Sequence, residues 1–479
     1  MAFGRVVLQR TSNFPGSEES DNFKTSAAIN TCNNLASIFE VCRSNFNEIW
    51  PYLLVSLKSA DYIAIDLVRL SFIAWNYLDL VRILSLGLAF FKKTKQSESK
   101  RSLKFSCQVF NILCICAEPF TVEPEALEFL AKHAFDFNLL IDSGASCNRF
   151  QSCPLRSLMT ELLSRGVPLF LHNGLVDLAF LYHHFYSPLP DSFGEFCNAL
   201  ADLFPSESPV CDSKYLAEYQ TRMTGSFLEY VFRKCQGDNV RESQGPRWHL
   251  KIVFDDTSSM MAPLRDACET VDCRLPDGFP DHPLPYDLRE KVCDQYASHG
   301  FCRKQRKDQC PLLHDVDFAI DLEEVRQGRN RMKRKRREGG SKGENIGGGD
   351  EAQAKNSGHS QVLALPMRSS SGCHRAGVDA FMTGYAALFQ NRMSLHREGR
   401  LDDQHINRIP LSGKEAPFTI QPTQFSGNCP KHENRFAAIQ AARVRVTMAA
   451  EVIITNFDQT SPRGGGVVWG ADHESDIRF

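Results

Sequence analysis

A compact group of cysteine and histidine residues constrains the fold of this chain more than any other feature. The four residues have the spacing C-x8-C-x7-C-x3-H and are Cys293, Cys302, Cys310 and His314. Structural zinc takes four thiolate or imidazole ligands in a tetrahedron, and a short segment with little apolar content needs such a link in order to fold. The spacing predicts a zinc finger at 293–314. His299 is a rival ligand, and three unrelated reduced cysteines near a surface histidine are the alternative interpretation.

Aromatic and basic side chains within the finger favour contact with RNA. Tyr296 and Phe301 are residues of the type that stack on unpaired bases. Residues of the type that contact phosphates are Arg303, Lys304, Arg306 and Lys307. Many zinc modules bind only proteins, so a protein-binding finger is the alternative.

Composition excludes several classes. The 17 cysteines are an odd number, which argues against a complete disulfide framework and favours reduced thiols in the cytosol or nucleus. A net charge of −2 requires any nucleic-acid surface to be local. The N-terminal residues lack the layout of a signal peptide. The longest apolar run, Ile83 to Phe91, is too short to span a bilayer, so we expect no membrane segment.

Patterning divides the chain into a globular stretch, the finger, a linker and a second globular stretch. Short β-branched and apolar runs alternate with amphipathic helical patterns, which predicts an α/β or α+β layered domain. The predicted boundaries are a disordered lead-in at 1–45, a first globular part at 46–235, an irregular connection at 236–292, a basic and disordered linker at 320–370, a last globular part at 371–435 and an unassigned tail at 436–479.

The linker carries a dense block of positive charge. Eight of the twelve residues from Arg326 to Arg337 are basic. Such a block stays solvated and is bound by partners, which predicts a nuclear signal recognised by an import receptor, or a nucleic-acid patch. The residues of the predicted signal are Arg329, Arg331, Lys333, Arg334, Lys335, Arg336 and Arg337. A solvated linker that no partner binds is the alternative.

Three segments place an acid at the end of a predicted strand or on a helix beside one. They are YIAID with Asp66, LHNGLVDLAFLY with Asp177, and HRAGVDAFMTGY with His374 and Asp379. Hydrolysis of a phosphodiester by two metals needs several carboxylates that converge from separate elements. Hard cations such as Mg²⁺ prefer these oxygen ligands, and a nearby histidine can accept a proton. Any one such acid, taken alone, is more often a helix cap or a solvated charge.

Taken together, these segments resemble the Caf1-family nucleases that carry a Cys-Cys-Cys-His zinc finger, over roughly residues 44–435. The resemblance implies a ribonuclease-H-like α/β layer interrupted by the finger and the linker, with two Mg²⁺ ions and a structural Zn²⁺. It implies that Asp66, Asp177 and Asp379 bind the divalent cations and that His374 is the general base. It further implies a 3′–5′ exoribonuclease acting on RNA with 3′ adenosine tails, in the nucleus, including nuclear bodies, and partly in the cytoplasm. It leaves the oligomeric state open.

The sequence departs from the family in the first motif. The family has a glutamate two residues after the first acid, where this chain has Val68, and the glycine-containing loop beyond is replaced by a shorter apolar segment. An altered transcript or gene model, or a non-catalytic relative, would account for this. We do not expect Asp79 or Asp212 to substitute as ligands, and we expect the adjacent His183 and His184 to be surface or core residues. The alternative function is a non-catalytic RNA-binding or scaffold protein.

Overall fold

The computed structural model describes most of the chain between residues 35 and 459. The described residues are 35–69, 82–94, 101–116, 118–132, 135–147, 154–254, 262–275, 291–304, 309–338 and 375–459. Within these ranges the chain forms a mixed α/β fold around a nine-stranded sheet, in the path β7-β6-β2-β3-β4-β1-β9, with β5 and β8 also paired to β4. A separate pair is formed by β10 and β11. This confirms the predicted α/β class.

The strands of both sheets are short except at the centre of the large sheet. They are β1 (Leu35–Val41), β2 (Tyr62–Arg69), β3 (Ile83–Lys93), β4 (Ser102–Cys116), β5 (Ala145–Cys147), β6 (Leu169–Leu171), β7 (Val210–Asp212), β8 (His249–Phe254), β9 (Cys268–Asp272), β10 (Arg408–Ile409) and β11 (Phe418–Thr419). In the large sheet β3 is antiparallel to both β2 and β4, and β9 is antiparallel to β1. The other pairs are parallel.

Helices cover both faces of the sheet. They are α1 (Phe46–Ser59), α2 (Pro124–Lys132), α3 (Phe137–Ser143), α4 (Pro154–Arg165), α5 (Leu175–Leu181), α6 (Phe193–Leu203), α7 (Ser213–Tyr215), α8 (Leu228–Gln244), α9 (Asp294–His299), α10 (Val316–Glu338), α11 (Ala376–Gln390), α12 (Arg392–Arg397) and α13 (Pro430–Gln459). Single π-helical turns follow α5 and α7 at Tyr182–Tyr186 and Leu216–Gln220, and a 3₁₀ turn lies at Ala262–Ala267.

Alternation along β2 shows how the two layers are built. Ile63, Ile65 and Leu67 face the core formed with α1, α4, α5 and α6, whereas Tyr62 and Ala64 face the core formed with α8 and α11. Successive side chains of a strand point to opposite faces, so the even-numbered residues of β2 are directed at α11. Helix α11 follows the finger and linker in sequence, yet it packs on the same sheet as the first globular part.

Four segments differ from the predicted organisation. The predicted lead-in contains β1, which pairs with β4 inside the sheet. The predicted irregular connection at 236–292 contains the end of α8 and two sheet strands, β8 and β9. The predicted disordered linker begins instead with α10, and the unassigned tail carries α13. The strands were missed because they are stabilised by pairing with residues distant in sequence, which local patterns do not record.

No helix in the described part of the chain is long and apolar enough to cross a membrane. The cysteines that the structure describes are free thiols, with no disulfide among them.

Candidate active site and cysteine–histidine cluster

Asp66 faces helix α11 because of the alternation of β2. Ala64, Asp66 and Val68 share one face of the strand. Ala64 and Ala380 belong to the core on that face, and Val68 packs with Ala376, the first residue of α11. Asp66 therefore lies between two contacts with the helix that carries Asp379. The fold brings together two acids that are more than three hundred residues apart in sequence.

Glycine at position 87 lets α11 lie this close to the sheet. Gly87 is the partner of Asp66 in the β2–β3 ladder. A Cβ at Gly87 would lie 2.5 Å from the backbone nitrogen of Gly377 and closer still to the carbonyl group of Ala376. The backbone of the helix thus rests directly on the strand, and no other residue type leaves enough room.

A polar network fixes the first turn of α11. The buried Asn111 of β4 accepts hydrogen bonds from the Gly377 backbone N–H (3.0 Å) and the Ser85 hydroxyl (2.9 Å), and its amide donates to Glu40 (2.8 Å). Glu40 in turn pairs with Arg375 at 3.1 Å. Burial raises the pKa of Glu40. Asn111 and Glu40 were missed from the sequence because their only signal is a polar residue inside an apolar strand.

Asp177 is positioned by a tight turn between β6 and α5. Asn173 adopts a left-handed backbone conformation with φ of 60°, which asparagine tolerates better than most residues. The buried Asp212 accepts a hydrogen bond from the Gly174 N–H (2.9 Å) and also caps α7. Burial raises the pKa of Asp212 to about 6. Its hydrogen bonds to the backbone amides of Gly174, Lys214 and Tyr215 assign it a structural role.

The charges of Asp177 and Asp379 act on Asp66. Burial raises the pKa of Asp66 well above its usual range, and the charges of Asp379 and Asp177 raise it further. Burial likewise raises the pKa of Asp177, while Arg69 opposes the shift. Like charges that face each other in a buried site favour either a proton or a bound cation. Asp177 and Asp379 are therefore near enough to Asp66 to act on its carboxylate, and we call these three residues the acidic cluster.

Arg69 is an unforeseen member of the cluster. Its Nη1 lies 2.7 Å from Asp177 Oδ1, and its guanidinium lies over the Phe180 ring at 5.4 Å from the centroid. The β2–β3 register is irregular between Val68 and Arg69. Such an irregularity re-aims the side chain that follows it. Periodicity alone could not reveal this pairing, because it depends on where β2 ends relative to α5.

Val68 lies at the position where the resemblance implies a glutamate. It is 6% exposed and packs with Leu84, Leu113, Leu130 and Ala376. The alternation of β2 directs this position to the same face as Asp66, which explains why an acid here would join the cluster. In this chain Val68 makes apolar contacts there and supplies no carboxylate.

Two predicted or considered residues lie outside the described part of the chain, namely His374 and Asp79. His183 and His184 are buried in the π-helical turn after α5, and core residues are one of the two placements expected for them.

The acidic cluster does not fit two divalent cations in the arrangement observed. The donor chemistry is suitable, because buried carboxylates are ligands that Mg²⁺ prefers. However, Asp177 already pairs with a guanidinium, and Val68 offers no oxygen. Among the described residues, the acids of this cluster do not form a compact group of three ligand atoms, whereas the cysteines of the finger do.

The finger residues form a group that fits a zinc ion. The potential ligand atoms of Cys293, Cys302, Cys310 and His314 all lie within 4.8 Å of one another. The Nε2 atom of His314 is buried and has no hydrogen-bond partner, as expected for a ligand position. Burial lowers the pKa of His314, which favours the neutral, ligating imidazole. His299, the rival ligand, lies outside this group.

The finger is packed onto the rest of the protein. The Tyr296 ring lies 5.9 Å from that of Phe227, which precedes α8, and 5.3 Å from that of His314. Tyr296 therefore packs internally, contrary to the expectation that it stacks on bases. Phe301 is 47% exposed and remains accessible.

Helix α10 leads directly from the finger into the basic run. The backbone of Val316–Glu338 is helical, so the charged block does not begin in a disordered linker. The side chains of the predicted nuclear signal, from Arg329 onward, lie outside the described side chains. The helical start is explained by apolar contacts of Val316 and Ile320 with Tyr230.

A mixed α/β sheet with acids gathered beneath one helix defines a nuclease-type fold of the ribonuclease-H class. A family model described as "CAF1 family ribonuclease" matches residues 76–151 and 147–387. The match spans more than half of the chain, which therefore belongs to the CAF1 ribonuclease family. Asp177 and Asp379 lie within the matched residues, and Asp66 lies before them.

Solved structures with similarity to this chain include three from yeasts. S. pombe Pop2p, in a form with Mg²⁺ and Mn²⁺ bound, is 17% identical, with a TM-score of 0.32 over 42% of this chain and 82% of that one. The RNase domain of yeast Pop2 is 14% identical, with a TM-score of 0.31 over 41% and 75%. A structure of the yeast NOT1 MIF4G domain co-crystallized with CAF1 gives 12% identity and a TM-score of 0.30 over 42% and 78%.

Proposed function

We propose that this chain is a 3′-end RNA-processing protein of the deadenylase type whose exonuclease activity is low or absent. Its substrates would be RNA 3′ ends such as poly(A) tails and the tails of small nuclear RNAs. Membership of the CAF1 ribonuclease family and the clustering of Asp66, Asp177 and Asp379 support the nuclease assignment. The order of motifs, with the finger and basic run between the second and last acids, resembles the nuclear family member known as target of early-growth-response protein 1.

The proposal of low activity rests on the residues that follow Asp66 in the first motif, namely Val68 and Arg69. An exonuclease of this family has a glutamate where Val68 packs against apolar side chains, and Arg69 pairs with the second-motif acid. Loss of one carboxylate weakens cation binding, and a displacement of about 1 Å in a reacting group can reduce a rate roughly a hundredfold. The acids remain in place, so activity is recoverable in principle.

A non-catalytic RNA-binding or scaffold protein is the second candidate, and the Arg69–Asp177 pair favours it. A carboxylate that is neutralised by an internal guanidinium needs no metal in order to be stable. In this alternative the exposed Phe301 and the basic residues of the finger contact RNA, while the nuclease fold supplies shape.

We further propose a nuclear location and binding to an import receptor through the basic run of Arg329 to Arg337. The proposal is supported by the sequence, because a dense block of like charge is typical of an import signal. We also propose that the finger holds one structural Zn²⁺. Mg²⁺ would be the cation of the nuclease site once the missing glutamate and loop are restored.

The test is degradation of an RNA with a 3′ adenosine tail in Mg²⁺. We expect little or no shortening by the unmodified chain, partial recovery in Val68→Glu, and more when the family-like loop after Asp66 is also restored. Activity of the restored protein should vanish in Asp66→Ala, Asp177→Ala and Asp379→Ala. Asp191→Ala, which removes an exposed acid elsewhere, is the matched control.

Two results would change the assignment. Efficient degradation by the unmodified chain that survives Asp379→Ala would show that the acidic cluster is not the active site. Efficient degradation that Asp379→Ala abolishes would keep the site and require another acid, Asp79 first, to replace the glutamate. A restored protein that binds the RNA without shortening it would support the scaffold candidate.

A further inference from the structure

Arg69 holds a position in the acidic cluster that nothing in the nuclease chemistry requires. Arg69 is the last residue of β2. Its side chain is 24% exposed, and the side chain of Asp177 is 12% exposed. The pair is thus shielded from water on most sides, and its 2.7 Å separation is that of a charge-assisted hydrogen bond. The attraction between its two charges is screened less by water and salt than in an ion pair on the surface.

The charges around Asp177 show what Arg69 does there. Asp177 and Asp379 are negative groups that act on the partly buried Asp66, and Arg69, which contacts Asp177 at 2.7 Å, is the positive group that acts on both Asp66 and Asp177. Carboxylates that face one another are stabilised by a proton or by a nearby positive charge. In this chain the protein itself provides one.

We propose that Arg69 is a built-in cation of the acidic cluster, which occupies the place of a divalent ion beside Asp177 and competes with it. The inference rests on the assignment of the three aspartates as cation ligands in the proposed function. An Mg²⁺ ion binds carboxylate oxygens at about 2.0–2.1 Å and demands near-octahedral geometry. An oxygen that already accepts an N–H from a guanidinium cannot approach the ion closely without bringing two positive charges together.

The competition is tested by Mn²⁺ binding to the full chain with its finger loaded with zinc. Free Mn²⁺ is measured by electron paramagnetic resonance for the unmodified chain, Arg69→Met, Arg69→Gln and Arg69→Lys. We expect Met and Gln to raise the Mn²⁺ affinity by about tenfold or more, since each removes a positive charge from a partly buried site. Lys keeps the charge and should stay near the unmodified affinity.

Controls separate the local effect from a change in net charge. Arg247→Met removes a charge from an arginine that is 76% exposed and pairs with Glu242, outside the cluster, and should leave Mn²⁺ affinity unchanged. The gain in Arg69→Met should disappear when Asp177→Asn is added. Arg69→Gln keeps an N–H donor for Asp177 and decides the question if circular dichroism shows that Arg69→Met does not fold.

The outcome is separable from that of the proposed function. Mn²⁺ affinities of Arg69→Met and Arg69→Gln within about twofold of the unmodified chain would overturn the competition, even if RNA were degraded. A tenfold gain in affinity establishes it, even if no RNA were shortened after Val68→Glu is added, a result that would instead count against the exonuclease proposal. A gain that persists with Asp177→Asn would also overturn it.

Discussion

Replacement of Gly87 by alanine should destabilise the protein and displace the acid on α11. The new Cβ would lie 2.5 Å from Gly377 N and even nearer the Ala376 carbonyl, whereas ordinary contacts are about 3.5 Å or more. Both obstacles are backbone atoms, so no side-chain rotation relieves the overlap. Overpacking typically costs about 1–3 kcal/mol, and this rigid contact places the expected loss near 3 kcal/mol.

The loss is measured by thermal unfolding. In a domain of this size, each kcal/mol of lost stability lowers the Tm by roughly 2–4 °C, so Gly87→Ala should lower the Tm by about 6–12 °C. Gly328→Ala is the matched control, because a Cβ at Gly328 meets nothing within 4 Å and the residue lies in α10. We expect it to leave the Tm unchanged or to raise it slightly. If both variants unfold at the temperature of the parent, the close approach of α11 to β3 is wrong.

Three further predictions concern other parts of the molecule. Replacing Lys333 to Arg337 with alanine should shift a fluorescent fusion toward the cytoplasm, and an unchanged nuclear signal would exclude these residues as the signal. Metal analysis should give about one zinc per chain, lost in Cys302→Ser; full retention would point to other ligands, His299 first. Burial lowers the pKa of His432, whose ring nitrogens are hydrogen-bonded to Asp202 and to the Tyr186 hydroxyl. The unfolded state therefore binds more protons as the pH falls below about 6.5, so stability should decline there, and less so in His432→Gln when denaturant midpoints are compared.

The sequence predicted the parts of the fold that local chemistry determines. One continuous segment around Asn173 predicts an apolar strand, a turn and an amphipathic helix. The structure has β6, the turn and α5 at these positions. Helix α11 was likewise visible from apolar spacing between Val378 and Phe389. The spacing of the four finger residues anticipated a cluster that the structure brings within 4.8 Å.

What the sequence could not show depends on distant partners. Strands β1, β8 and β9 are stabilised by pairing with β4 or with each other, and their own patterns are weak. Arg69 follows a register irregularity whose effect on the side chain depends on α5, more than one hundred residues away. The helical start of the basic segment comes from burial of Val316 and Ile320 against α8. In each case tertiary packing overrides local composition.

Loss of zinc should loosen α10 before it affects the nuclease sheet. Hydrogen bonds from Cys293 N to Leu313 O (3.0 Å) and from Leu313 N to Lys291 O (2.8 Å) close the finger three residues before this helix begins. The finger contacts the helix itself through the pair of Asp294 with Arg326 (3.3 Å). Val316 then packs against Tyr230 of α8. Because a short finger depends on its metal for folding, removing the zinc releases the segment that leads into this contact.

Hydrogen exchange can locate that loosening. Cys302→Ser, or treatment with a chelator, should speed amide exchange over residues 316–325 by about tenfold or more, while residues 376–390 of α11 stay protected. Cys42→Ser changes a cysteine outside the cluster and should leave both regions unchanged. If zinc is lost and exchange over 316–325 stays at the parent rate, α10 is held by α8 alone and the finger is an independent module. If α11 loosens at the same time as α10, the finger is coupled to the acidic cluster itself, because Asp379 lies on that helix.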